Sequence, residues 1–92
     1  MFPNRSRSKA DGIESKHKMT IKTDYGSLEV VNLKKVWVKE ILGMYKLMYE
    51  DAKYEYCCIY WSDSSSSVKR YEDYKRKIIE AYNRGDKIVE IL

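Results

Sequence analysis

The stretch Lys35-Val36-Trp37-Val38-Lys39-Glu40-Ile41-Leu42-Gly43-Met44-Tyr45-Lys46-Leu47-Met48-Tyr49-Glu50 decides how this chain folds. Two periodicities compete in it. With a period of two, Val36 and Val38 share a face, and Gly43 divides the run into two strands joined by a turn or bulge. With a helical period, Leu33, Trp37, Ile41, Met44 and Met48 recur at steps of three and four. β-branched and aromatic side chains lose rotamer freedom in a helix and pack well on a pleated surface. Together with the interior glycine they favour two strands; one helix is the alternative.

Upstream, Met19-Thr20-Ile21-Lys22-Thr23 alternates and is rich in β-formers, so it reads as a strand. Asp24-Tyr25-Gly26-Ser27 supplies a turn and Leu28 to Val31 a second strand, with a break at Asn32-Leu33-Lys34. Downstream, Glu50-Asp51-Ala52-Lys53 makes a polar turn before the strand Tyr54 to Trp61. Simple alternation puts Tyr54, Tyr56, Cys58 and Tyr60 on one face of it, and Glu55, Cys57, Ile59 and Trp61 on the other. Both faces are mainly apolar, as in a central strand.

The serine-rich loop Ser62 to Ser67 offers N-cap candidates for a helix over Val68 to Arg84. Its apolar stripe is Val68, Tyr71, Tyr74, Ile78 and Ala81, widened by Ile79 and Tyr82. Gly85 fits the residue just past a helix end. Lys87 to Ile91 reads as a last strand. The predicted class is α+β: an antiparallel β-meander of four to five strands, one helix packed on the sheet, and a C-terminal strand returning beside the meander.

Ninety-two residues allow one domain. A hydrophobic share of 43% with 35% charged residues belongs to a globular chain and excludes the disordered and membrane classes. The longest uncharged run, Tyr56 to Ser62, is far shorter than the roughly 20 residues a membrane helix needs. The first residues lack a signal-like apolar core, so a cytoplasmic location is expected. Of the net charge of +4, residues 1–18 carry +3 (five basic, two acidic side chains) and residues 19–92 carry +1. The reading is a flexible basic tail over 1–18 and a single domain over 19–92.

No catalytic or metal-binding constellation is expected, and no cofactor. His17 is the one histidine and falls in the tail. Adjacent Cys57 and Cys58 would point to opposite strand faces and read as reduced core thiols, without the four regularly spaced ligands of a zinc site. The acid pairs Glu50-Asp51 and Glu72-Asp73 fall on a turn and a helix surface. Gly12, Gly26, Gly43 and Gly85 match no phosphate loop. The expectation is therefore not an enzyme.

Binding is the remaining class. Tyr54, Tyr56 and Tyr60 on one strand, with Tyr45 and Tyr49 on another, form a candidate platform for a protein partner. The expected function is a small protein-binding accessory or inhibitor, such as one carried by a phage or mobile element and directed at a host-defence complex. The alternative is nucleic-acid binding, with Arg5, Arg7 and Lys9 of the tail and Lys69, Arg70, Arg76 and Lys77 of the helix on phosphates and tyrosines stacking bases. The Lys/Arg-Gly-Phe/Tyr signature of RNA-recognition strands is missing. A homo-oligomeric subunit is a third class, and no membrane contact is expected.

Overall fold

The computed structural model describes residues 16–92. In chain order the elements are β1 (Lys18–Thr23), β2 (Gly26–Val31), β3 (Lys35–Ile41), β4 (Met44–Glu50), β5 (Cys57–Ser62), helix α1 (Ser67–Asn83) and β6 (Ile88–Glu90). The class is α+β, with the meander, the helix and the closing strand in the expected order. The deciding stretch is a β-hairpin. Ile41 pairs with Met44, which leaves a two-residue loop in which Leu42 (φ 51) and Gly43 (φ 78) both take positive φ. That is the signature of a type I′ turn, whose twist matches the strands it joins.

The meander divides into two three-stranded sheets, ordered β2-β1-β6 and β3-β4-β5. β6 runs parallel to β1, and every other pairing is antiparallel. The division falls at Asn32, whose φ of 53 lies in the left-handed region that asparagine tolerates better than most residues. Hydrogen bonds sew the junction. Lys34 N–H donates to the Glu50 carbonyl (2.8 Å) and Ala52 N–H to the Val31 carbonyl (2.9 Å). The buried Asp51 carboxylate accepts from the N–H groups of Val31 (2.8 Å), Lys53 (2.9 Å) and Tyr54 (2.8 Å). A buried carboxylate holding three backbone donors is costly to remove, because each donor is then stranded.

Helix α1 turns Tyr71, Tyr74, Ile78, Ala81 and Tyr82 inward, as its periodicity predicts. They meet Val36, Leu47, Tyr49, Ile59 and Tyr60 from the second sheet and Met19, Ile21, Val30 and Ile91 from the first side of the molecule. Ile21, Leu47, Ile78 and Ile91 have no exposed surface, and each such side chain contributes about 1.5–3 kcal/mol of transfer free energy. The helix ends in a Schellman turn. Gly85 (φ 87) donates to the Tyr82 carbonyl and Asp86 N–H to the Ala81 carbonyl.

Three expectations change. Ser66 occupies the N-cap but has helical dihedrals and makes no side-chain capping bond; its N–H faces the Ser64 hydroxyl (3.3 Å). The predicted strand Tyr54 to Trp61 begins only at Cys57, because the Asp51 turn consumes the residues before it. Assigned to the tail by composition, His17 and Lys18 belong to the fold: Lys18 opens β1, and the His17 ring stacks on Tyr82. The proposed flexible tail otherwise lies outside the described residues.

Candidate docking surface

Register fixes which side chains of the β3-β4-β5 sheet face the helix. Val36 pairs with Tyr49, Val38 with Leu47 and Glu40 with Tyr45, so this set lies on the core side. The opposite side carries Lys35, Trp37, Lys39 and Ile41 of β3, and Met44, Lys46, Met48 and Glu50 of β4. In β5 the register shifts between Leu47 and Met48: Leu47 pairs with Tyr60 but Met48 with Cys58, leaving Ile59 as the extra residue of a bulge. Ile59 and Tyr60 are consequently both buried, while Cys58 and Trp61 face outward with Met48 and Lys46.

The bulge overturns the predicted tyrosine face. Tyr60 sits in the core, 7% exposed, its hydroxyl accepting from Asp24 N–H (3.0 Å) and donating to the Ile91 carbonyl (3.1 Å). Tyr49 is also buried, and Tyr45 packs half-buried against the core. Tyr54 and Tyr56 are exposed, but in the β4–β5 connection and not on a strand. The five tyrosines therefore do not share one surface.

On the open side a different group assembles. Tyr56, at φ 54, is held in the left-handed region, and its ring meets Trp37 edge-on at 6.2 Å. Such a backbone conformation costs a non-glycine residue on the order of 1–2 kcal/mol. The Lys35 ammonium lies 4.7 Å from the Trp37 ring centre. Trp61 is 61% exposed and stands across from Lys46, which in turn faces Lys39. At the hairpin tip Ile41 and Leu42 are exposed, Leu42 to 97%. Among the described residues no helix or strand packs on this face, although its centre is closed: Met48 is buried and Trp37 half-buried, with Tyr56 and Lys35 against the Trp37 ring. Cys58 donates to the Tyr60 carbonyl (3.2 Å), and desolvation of the sulfur raises its thiol pKa against the pull of Lys46, although the residue borders solvent. Burial thus favours the thiol form of Cys58 over the thiolate.

Trp61 also borders a cleft of about 160 Å³ between the β1–β2 turn and the helix. Tyr25 and Arg70 stand at its mouth, over the mutually packed rings of Tyr60, Tyr71 and Tyr74. The basic helix face is largely spent on intrahelical pairs: Arg76 meets Asp73 and Glu80, and Lys77 meets Asp73. Lys69 is exposed and Arg70 leans over the Tyr71 ring. Arg5, Arg7 and Lys9 lie outside the described residues. No group of three or more histidine, cysteine or acidic residues is placed to hold a metal, and no helix is long and apolar enough to cross a membrane, among the described residues.

Comparison with family models, with curated proteins and with solved structures finds no match to this chain.

Trp37, Trp61, Lys35, Lys39 and Lys46 were not singled out from the sequence as site residues. For β3 the signal was present, since Lys35, Trp37 and Lys39 are the complement of the Val36–Val38 face. For Trp61 it was not, because the bulge at Ile59 has no glycine or proline to announce it.

Proposed function

We propose that this chain is a non-catalytic binding domain that docks on another macromolecule through the open face of the β3-β4-β5 sheet. The observation that carries the reading is the set of aromatic side chains on the sheet face away from the helix, the Trp37–Tyr56 pair and the exposed Trp61, with Tyr56 fixed in a costly backbone conformation. Strain of this kind persists where surrounding structure enforces it, and it gathers at binding sites. Large rings lose few rotamers on contact and bury much area, which makes them anchors. The non-catalytic part is supported by the placement of His17, with Tyr82 across its face and Nε2 3.2 Å from the Asp86 carbonyl.

Of the tyrosines that sequence alternation groups together, this docking face keeps Tyr56, while Tyr60 belongs to the core on the other side of the sheet. The test is selection of ligands for the full chain from a random peptide pool and a random oligonucleotide pool, each repeated with a Tyr56→Ala/Trp61→Ala variant. Enriched ligands that lose the variant support the reading. Ligands that bind both proteins equally, or no enrichment from either pool, reject it.

A further inference from the structure

We infer that the partner of the open face is a single-stranded nucleic acid, with the exposed rings of Tyr56 and Trp61 stacking bases, Trp37 supporting Tyr56 from below, and Lys35, Lys39 and Lys46 contacting phosphates. The inference rests on the docking reading above and names its ligand.

Charge on the face comes first. Lys35, Lys39 and Lys46 share it with one acid, Glu50. Among the described residues none of the three lysines forms an ion pair, which they share with other lysines such as Lys22 and Lys69; what sets them apart is their register on one sheet face. Lys39 and Lys46 are direct cross-strand partners. Like charges placed opposite each other on one sheet face destabilise the pair, and an anion bound between them removes that penalty. Lys35 stands opposite Glu50, but Lys39 and Lys46 face each other with no acid between them and are thus placed for a polyanion from outside the chain.

The rings select among polyanions. Along β3 the order Lys35, Trp37, Lys39 alternates cation and ring on one face, and across the sheet Lys39, Lys46 and Trp61 continue the row. Aromatic planes beside ammonium groups match a chain in which flat bases and phosphates alternate, and stacking of this kind tolerates any base. A duplex hides its base faces, and its major groove admits a helix or a two-stranded ribbon, not a three-stranded sheet face. An acidic peptide would answer the lysines but supply no run of planes for Tyr56 and Trp61.

The experiment uses the full chain throughout, so that the basic N-terminal residues contribute equally to every sample. Labelled 12-nucleotide single strands of DNA and RNA, the matching duplexes and an acidic peptide are titrated by anisotropy across a salt series. The variants are Trp61→Ala, Lys39→Gln/Lys46→Gln and, as a control off the face, Lys69→Gln, each checked for folding by circular dichroism. All these positions border solvent, and two independent face variants keep the test open if one fails to fold. The expected result is single-strand binding stronger than duplex binding, weakened about tenfold by Trp61→Ala. Loss of two phosphate contacts should lower the log–log salt slope by about 1.4. Lys69→Gln should bind as the parent does.

Single-strand affinity unchanged in both face variants overturns the inference, as does equal or tighter binding of the duplex. Binding of the acidic peptide alone, lost in Trp61→Ala, also overturns it while leaving the docking face standing. Absence of any face-dependent ligand, peptide or nucleic acid, removes both.

Discussion

The imidazole of His17 lies flat on the ring of Tyr82, with centroids 4.2 Å apart and planes 9° from parallel. Beneath this stack, the Tyr82 hydroxyl accepts from the N–H groups of His17 and Leu33 and donates to the His17 carbonyl, each at 3.0 Å. One phenol on the helix thereby ties the entry of β1 to the turn between the two sheets. Tyr82→Phe is expected to cost about 3 kcal/mol, because it leaves the buried Leu33 N–H without an acceptor. His17→Ala should cost about 1–2 kcal/mol, the stack on Tyr82 together with the Nε2 contact to the Asp86 carbonyl. Urea midpoints of the two variants check the ratio. Deleting the chain up to Lys18 should be at least as harmful as Tyr82→Phe.

Asp51 makes the second tie. Its Oδ1 takes Lys53 and Tyr54 N–H, and its Oδ2 takes Val31 N–H. Asp51→Ala is expected to lose about 4 kcal/mol. Asp51→Asn keeps one oxygen for two donors and turns an amide N–H₂ toward the third, so about half that loss is expected. Equal losses in the two variants, measured by denaturant titration, would show that the Val31 bond carries the whole effect.

Leu42 is the wrong residue for its turn. It is 97% exposed and left-handed, in a type I′ loop that asparagine fits better. Leu42→Asn should raise stability by about 1 kcal/mol. For a domain of this size that lifts the thermal midpoint by about 4–8 °C. An unchanged midpoint in calorimetry would mean that the Leu42 side chain offsets its backbone cost.

Alkaline pH should unfold the domain. Burial raises the phenol pKa values of Tyr49, Tyr71 and Tyr74; a nearby Cys57 thiol adds to the effect at Tyr49, while Ser67 and Arg70 oppose it at Tyr71 and Arg70 at Tyr74. A raised phenol pKa means that the folded state holds its proton more tightly than the unfolded state. Their contribution is therefore complete below the unfolded tyrosine value, near about pH 10, and is lost as pH rises through the folded values. Stability should fall steeply above about pH 10, and Tyr49→Phe should flatten that fall. Tyrosinate absorbance followed alongside circular dichroism checks it.

The elements themselves were legible in the residues. Alternation marked the strands, the Tyr71–Tyr74–Ile78–Ala81 stripe marked the helix, and Gly85 marked its end, because these signals arise between residues close in sequence. Gly43 and the β-branched run favoured the hairpin for the same reason, with one helix left as the alternative. The site was only half legible. The Lys35–Trp37–Lys39 row follows from β3 alone, but its continuation through Lys46 and Trp61 depends on cross-strand register.

What the sequence by itself determined is the order of the elements, the kind of each outside residues 35–50, and, once β3 is a strand, the side that each of its residues takes. Tertiary structure alone decided that the meander splits into two sheets at Asn32, that His17 belongs to the core's edge, and that Lys39 and Lys46 face each other across one sheet face. It also decided the faces of β5. One extra residue at Ile59 turns Tyr60 into the core and Trp61 outward, and nothing local to Tyr54–Trp61 requires it. The physical reason is range. Propensity and periodicity act within a few residues, whereas a bulge is selected by the packing of Tyr60 against Tyr71 and Tyr74 and by its hydroxyl's bonds to Asp24 and Ile91, contacts that exist only once the chain has folded.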